Sequence, residues 1–339
     1  MRFTTRRLMI FVAVVALGLV VLRTAMWILN EIEEAVNEPF AAVGKTARSW
    51  DLGPTPFVIV DCFEGTIQVL PGTDGRVTAE VTSAALAEDH RSTAIEGLKT
   101  IEVDFQQHGD TLRVVARGAS ESMVRKDAGV TLHVPSNVRL DLRTGRGEIR
   151  VGRDYSGNNA IHDPIAAYSI RARNDSKYRL GYAEGNVIVE TTAPRGPDGK
   201  VTPTRLQLDA PGQIEVIADR AAIEAYAWHG TPHPSWTHEA YEDGQEGIVR
   251  FEGTLAEGDQ QLRAAHRVEV KLAGDPSIRI DAAADGSPTR PGSIAGDALD
   301  SAVRQSGDEA RWSGRLGSGA GGTLSIRVDD GSISLNRKP

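Results

Sequence analysis

The sequence predicts a mainly β protein. We expect stacked strands forming a β-helix-like coil, a small β-rich N-terminal unit containing one helix, and a transmembrane helix before them. Three observations support this fold class. A strand–glycine–strand phrase recurs along the chain, and a long apolar run lies near the N-terminus. The composition is 40% hydrophobic but only 5% aromatic, which suits thin β-layers filled by Val, Ile and Leu.

The recurring phrase consists of two alternating apolar residues, a glycine, and two more alternating apolar residues. It reads Leu140-x-Leu142 and then Gly147-x-Ile149-x-Val151, and it returns at 206–216 and 324–335. Period-two alternation indicates strands with one buried face, and glycine allows the tight corner between them. The phrase therefore predicts a stacked coil. The predicted corner glycines are Gly65, Gly147, Gly185, Gly212 and Gly331.

The corners are unevenly spaced, which predicts loops of variable length rather than a strict repeat. Three insertions stand out, at 153–170, 228–246 and 283–322. The last is rich in Gly, Ser, Asp and Ala, so we expect it to be flexible.

An apolar run near the N-terminus predicts a membrane anchor. The unbroken run 8–22 would span only ~22 Å as a helix, whereas extension to Leu29 gives a helix long enough to cross the bilayer. Arginines at 2, 6 and 7 favour a cytoplasmic N-terminus. We therefore expect a single-pass inner-membrane protein whose main domain is extracytoplasmic, with the lipid bilayer contacting 8–29. A cleaved signal peptide remains the alternative, although small residues at the required positions are missing after the run.

These features give a predicted domain order. Residues 1–7 are a cytoplasmic tail, 8–29 the signal-anchor, and 30–56 a juxtamembrane helix and linker. The helix is suggested by the near-helical spacing of Leu29, Ile32, Val36, Phe40 and Val43.

The remaining chain divides into two predicted parts. Residues 57–118 form a β-rich unit with one helix at 86–98 and a hairpin turn at His108-Gly-Asp. Residues 119–339 form the β-helix-like domain with long loops.

Charge and cysteine content exclude several classes of function. The formal net charge is −8, so we expect no nucleic acid as partner, because phosphate backbones repel an acidic chain. Cys62 is the single cysteine, so an internal disulfide cannot form. Its acidic neighbours Asp61 and Glu64 do not favour a reactive thiolate.

One loop, 228–241, concentrates residues suited to ligand binding. It holds Trp228, Trp236 and Tyr241, whose rings could stack on sugars. It also holds His229, His233 and His238, which are weak candidates for a Zn²⁺ site. Prolines between these histidines prevent one helical face from aligning them, so we expect no metal and no cofactor. A surface loop covering the edge of the stack is the other interpretation.

The acidic residues are a weaker indication of a functional site than the 228–241 loop. Asp209, Glu215, Asp219 and Glu224 could supply a carboxylate pair for glycan cleavage. Acidic residues at alternating strand positions are also typical of any solvated β-face. Because a Ser/His/Asp signature and a nucleophile elbow are missing from the sequence, we predict no catalytic residues and a protein that is not an enzyme.

The chain resembles a family of bacterial extracytoplasmic adhesin-like β-helix proteins, the auto-transporter-adhesin head-like group of unknown function. The matching phrases are 63–69, 130–135, 140–151 and 331–335, and the opening ten residues resemble membrane-anchored proteins of planctomycete-type bacteria. The resemblance covers most of 57–335 and is loose over 153–322. It implies a β-helix fold and an adhesin-like role, and it supplies no catalytic residues.

We therefore expect a non-enzymatic, membrane-anchored envelope protein that binds or scaffolds an envelope protein or a glycan. The alternative is a carbohydrate-binding module or polysaccharide-active enzyme that uses the 228–241 loop.

Overall fold

The fold is taken from a computed structural model. It describes residues 40–73, 75–118, 124–154, 161–175, 185–196, 198–228, 247–274, 277–317 and 321–338, with the backbone alone at 178–179 and 231–232. The predicted tail 1–7 and anchor 8–29 lie outside these residues. Within them, no helix has both the length and the apolar character needed to cross a bilayer.

Most strands belong to two long ladders of parallel strands. Ladder A contains, in spatial order, β6 (Thr111–Arg117), β2 (Phe57–Cys62), β8 (Val138–Thr144), β12 (Ile165–Asn174), β15 (Thr204–Ala210), the second half of β16 (Gln213–Ala227), β19 (Gln260–Ala264), β25 (Thr323–Val328) and β21 (Ile278–Ala284).

Ladder B receives the chain after each corner. It contains β7 (Val124–Val134), β3 (Ile67–Pro71), β9 (Ile149–Val151), β14 (Val187–Thr192), the first half of β16, β18 (Ile248–Leu255), β20 (Arg267–Leu272), β26 (Ser332–Arg337) and β22 (Ser293–Ala295).

Antiparallel strands cover the ends of both ladders. At one end β5 (Glu102–His108) pairs with β6, while β4 (Arg76–Ala87) pairs with β7 and β1 (Phe40–Asp51) pairs with β4. At the other end β24 (Glu309–Leu316) pairs with β21, and β23 (Arg304–Ser306) pairs with β24. Short pieces complete the β-structure: β10 (Arg153–Asp154) with β11 (Ile161–His162), and β13 (Tyr178–Arg179) with β17 (Thr231–Pro232).

The spatial order of the strands departs from their order in the chain at both ends. The pair β2–β3 lies between β6–β7 and β8–β9. Likewise β25–β26 lies between β19–β20 and β21–β22. Strands that are distant in sequence therefore complete both ends of the stack.

The core consists of aligned rows of apolar side chains, because in-register parallel strands place equivalent residues side by side. One row in ladder B runs along Ile67, Ile149, Val187, Ile214, Val249, Val268 and Ile333. Its members and the inward residues of ladder A form one buried cluster. Each fully buried side chain of this size stabilises the fold by about 1.5–3 kcal/mol.

The corners depend on close backbone contact. At Gly147, φ is +116°, and a Cβ there would lie 2.5 Å from the Gly65 carbonyl oxygen. Gly212 is restricted by space instead, because its Cβ would lie 2.5 Å from Asn186 Oδ1. The predicted corner glycines Gly65, Gly185 and Gly331 also have positive φ.

Side chains at the end of ladder A satisfy the corner carbonyls of the neighbouring coil. Thr144 Oγ1 donates to the carbonyl of Gly65 at 2.8 Å, and Asn174 Nδ2 donates to that of Gly147 at 2.8 Å. In the same row, Cys62 Sγ donates to the Ala128 carbonyl at 3.0 Å. Burial raises the pKa of Cys62 to about 12, so this thiol acts as a small buried donor.

The prediction of a helix at 86–98 is wrong at its start. Helix α1 spans Arg91–Lys99, and residues 86–87 belong to β4. Alternate burial continues through Ala85 and Ala87. Residues up to 87 therefore remain extended, because they are still paired with the neighbouring strands. Asp89 accepts hydrogen bonds from the His90 amide at 2.7 Å and from Thr93 Oγ1 at 3.0 Å, which fixes the start of the helix.

The predicted juxtamembrane helix and linker at 30–56 also need correction where the structure describes them. Residues 40–51 form β1, which pairs with β4 along its whole length. Phe40 and Val43 are exposed on this strand, so their helical spacing does not reflect a buried helical face. Residues 30–39 lie outside the described residues.

The 283–322 insertion, expected to be flexible, contains β22, β23 and β24. Trp312 explains the difference, because it is buried and its Nε1 donates to Ser301 Oγ at 3.0 Å. Small side chains such as Ala284 and Ala310 pack beside it in the core. Part of the 153–170 insertion is likewise regular, since β12 begins at Ile165.

The predicted units 57–118 and 119–339 are hydrogen-bonded directly to each other. Strand β2 pairs with β8 and β3 pairs with β9. The hairpin at 108–110 joins β5 to β6, as its sequence predicts.

Candidate functional site

The predicted ligand-binding loop begins at the end of β16, and the structure describes the side chain of its first residue and the backbone of 231–232. Trp228 is half-buried there. Five other predicted residues lie outside the described part of the chain: Trp236, Tyr241, His229, His233 and His238. Within the described part, no group of three or more His, Cys, Asp and Glu side chains is arranged to hold a metal ion.

Trp228 is held by a carboxylate from the neighbouring strand. Its Nε1 donates to Asp209 Oδ1 at 2.9 Å. Asp209 lies in β15 and is in register with Tyr226 of β16. Burial raises the pKa of Asp209, and the hydrogen bond from Trp228 partly opposes that shift. The indole and the carboxylate therefore fix each other's positions.

Tyr226 is fixed from the other side. The guanidinium of Arg263 lies 4.9 Å from the centre of its ring, a cation–π contact. Arg263 Nη2 also donates to both carboxylate oxygens of Asp329, at 3.0 and 3.2 Å. Side chains from β15 and β19, together with Asp329 just after β25, thus position the two aromatic residues.

These residues surround an open depression of roughly 600 Å³, here called the corner pocket. It lies where ladder A turns towards ladder B, and its lining is Asp209, Tyr226, Trp228, Ala265, His266, Asp329 and Asp330. Aromatic rings, carboxylates and an imidazole therefore face one space at the start of the predicted loop.

A second depression of roughly 290 Å³ continues from it across the outer face of ladder A. We call it the face groove. It shares Asp209 and Tyr226 with the corner pocket, and its other polar lining residues are Arg171, Arg173, Gln207 and Glu224. The two depressions are therefore adjacent on the outer surface of ladder A.

The four predicted carboxylates do not form one cluster. Asp209 and Glu224 share the face groove, whereas Asp219 is exposed where β16 passes between the ladders. Glu215 lies on ladder B, where Arg153 Nη1 donates to its Oε1 at 2.9 Å.

Arg153 is the centre of a buried ion network that the sequence analysis missed. Its Nε donates to Glu190 Oε1 at 2.6 Å, and His162 Nδ1 lies 2.7 Å from the same oxygen. Glu148 is buried in an adjacent row and pairs with Arg150. These residues are distant in sequence, and only the register of β9, β14 and β16 brings them together.

No family model and no curated protein matches the chain. Among solved structures, a candidate cell adhesion protein from Clostridium sporogenes is 8% identical with a TM-score of 0.27, covering 87% of this chain and 100% of its own. A candidate lipid-binding protein from Parabacteroides distasonis is 11% identical with a TM-score of 0.29, covering 87% and 97%.

A candidate adhesin from Bacteroides fragilis is similar at 9% identity and a TM-score of 0.26, covering 86% and 97%.

Proposed function

We propose that this protein is a non-enzymatic, glycan-binding protein of the bacterial cell envelope. Its β-helix-like stack serves as the scaffold, and residues 8–29 anchor it in the inner membrane with the stack outside. The observation that carries the binding function is the placement of Tyr226 and Trp228 at the corner pocket among fixed polar groups.

The chemistry of the pocket suits a sugar. Aromatic rings pack against the apolar faces of sugar rings, while carboxylates and imidazoles form hydrogen bonds with hydroxyl groups. The partners of Asp209 and Asp329 hold these groups in place before a ligand arrives, which reduces the entropy lost on binding. The open shape and the adjoining face groove favour a polymer over a small enclosed ligand.

The first test is a glycan array probed with the full-length chain in detergent micelles. Trp228→Ala should abolish selective binding or weaken it by roughly 30-fold, because truncating an aromatic anchor typically costs ~2 kcal/mol. Trp50→Ala is the matched control, since Trp50 lies on β1 against Phe105, with ring centres 5.3 Å apart. Absence of selective binding, or equal effects of both variants, would contradict the proposal.

Glycan cleavage is the second candidate function, and the raised pKa of Asp209 favours it because a general acid must hold its proton. Asp209→Asn separates the two functions, since the amide oxygen can still accept from Trp228. A binding protein should retain affinity within a few-fold, whereas an enzyme should lose turnover. Release of reducing ends by the unaltered chain, lost in this variant, would favour cleavage.

A further inference from the structure

Three exposed arginines lie together on the outer face of ladder A. They are Arg139 of β8, Arg171 of β12 and Arg205 of β15. Ser169 is in register with Arg139 on one side and with Arg205 on the other. Two strand spacings therefore separate Arg139 from Arg205, about 10 Å, and Arg171 follows Ser169 by two residues on the same face. We call these residues the arginine triad.

The neighbouring arginines Arg143 and Arg173 pair with an acid, whereas, among the described residues, Arg171 and Arg205 of the triad do not. Arg143 Nε donates to Asp175 Oδ2 at 2.5 Å, and Arg173 lies 3.9 Å from the same carboxylate. In the part of the chain that the structure describes, Arg171 and Arg205 form no ion pair, and Asp141 beside Arg171 is the nearest acid in register.

One member of the triad is already oriented. The guanidinium of Arg139 lies 5.2 Å from the centre of the Phe57 ring. This contact holds the guanidinium beside the ring, and its N–H groups can bind a planar anion in a bidentate manner.

The triad adjoins the proposed glycan site through Arg171. Arg171 lines the face groove, which shares Asp209 and Tyr226 with the corner pocket. A polymer with one unit against Trp228 and its next units in the face groove would bring its substituents to the triad. The chain as a whole has a net charge of −8, so it repels polyanions in general and local positive charge must select the ligand.

We propose that the ligand is an acidic polysaccharide whose uronate carboxylates bind the arginine triad. This inference rests on the proposed function and specifies the class of glycan. Arginine is suited to this role because its planar fork matches a carboxylate, and adjacent parallel strands present the forks at a regular spacing.

The test uses uronate oligomers, each compared with its own methyl ester, and the full-length chain in detergent micelles. Esterification removes the charge and keeps the sugar backbone. The acid form should bind at least tenfold more tightly, the ratio expected for charge-assisted hydrogen bonds. The double variant Arg171→Gln, Arg205→Gln should remove most of the difference in affinity between acid and ester and weaken the salt dependence.

Arg304→Gln is the control, because Arg304 is exposed on β23 at the far end of the stack. Equal binding of acid and ester, with Trp228→Ala weakening both, would overturn the acidic ligand and keep the glycan site. Failure of every acid–ester pair to bind would overturn the acidic-glycan inference, and selective binding on the glycan array would then still support the proposed function. Equally tight binding of duplex DNA would overturn the acidic-glycan inference, since charge alone would then explain the affinity.

Discussion

Buried acids illustrate how single residues in this fold respond to their neighbours. Glu148 is buried at the corner just before β9 of ladder B, and desolvation raises its pKa despite its pairing with Arg150. Glu252 faces solvent on the same ladder, and hydrogen bonds from Lys338 lower its pKa, with Lys271 adding to the effect. Two glutamates of one ladder therefore have pKa values shifted in opposite directions.

These shifts predict opposite pH dependences of stability. A raised folded-state pKa means that the stabilising contribution of Glu148 is complete below its ordinary value of 4.5 and is lost as pH rises through the folded value. Glu148→Gln should therefore raise the melting temperature, relative to the unaltered chain, more at pH 7 than at pH 4.

Glu252→Gln is the matched control with the reverse sign. The contribution of Glu252 is present above its ordinary pKa and is lost as pH falls through the lowered value. This variant should lose more stability at pH 7 than at pH 4. Thermal melts of both variants across this pH range measure the slopes, and slopes of the same sign would contradict the assignment.

Elements of this protein are joined by corners in which a glycine faces the backbone of the adjacent coil. Gly147 and Gly109 both have positive φ. A methyl group added at Gly147 would meet the Gly65 carbonyl, whereas one added at Gly109 would meet nothing within 4 Å. Gly109 is required only for its positive φ. Gly147 is required both for its positive φ and because a side chain there would collide with the adjacent coil.

Gly147→Ala should therefore destabilise the protein by more than Gly109→Ala. The hairpin variant should lose about 1 kcal/mol for its left-handed backbone, whereas the corner variant loses about 1–3 kcal/mol for its backbone strain and must also displace the neighbouring strand. Urea titrations of the two variants measure the difference. Equal losses would show that the corner can relax.

Strands and corners are the features that the sequence predicts well. The phrases at 140–151, 206–216 and 324–335 become β8–β9, β15–β16 and β25–β26, because alternation and corner glycines are local properties. Strand β1 was missed because its exposed residues give no clear alternation. The Arg153 network and the arginine triad depend on register between distant segments, which no local pattern contains.

At the scale of the whole molecule, each end of the stack contains a pair of strands that is inserted between strands from other parts of the sequence. The stability of the ends depends on these inserted pairs. Removing residues 323–338 should do more than shorten the stack, because β25–β26 separates β19–β20 from β21–β22. We expect loss of hydrogen-exchange protection in β19, β20 and β21, with protection retained in β8, β12 and β15.

Glycine substitution at Arg304, Gln305 and Ser306 provides the comparison. Strand β23 is paired with β24 at the outer end, so its disruption should affect only those two strands. If the truncation left β21 protected, the interleaved order of the strands would be wrong.

The interleaved order of the strands also determines when the stack can finish folding during synthesis of the chain. As the chain emerges, β2–β3 is made before either of its neighbours, and β19–β20 must wait while β21–β24 pass by before β25–β26 arrives. A chain interrupted after Leu316 would leave β19, β20, β21 and β22 each with an unpaired edge, and such edges promote aggregation with other chains. A nascent chain that stops short therefore keeps these strand edges exposed. Chaperones and proteases of the cell can recognise such a chain as incompletely folded.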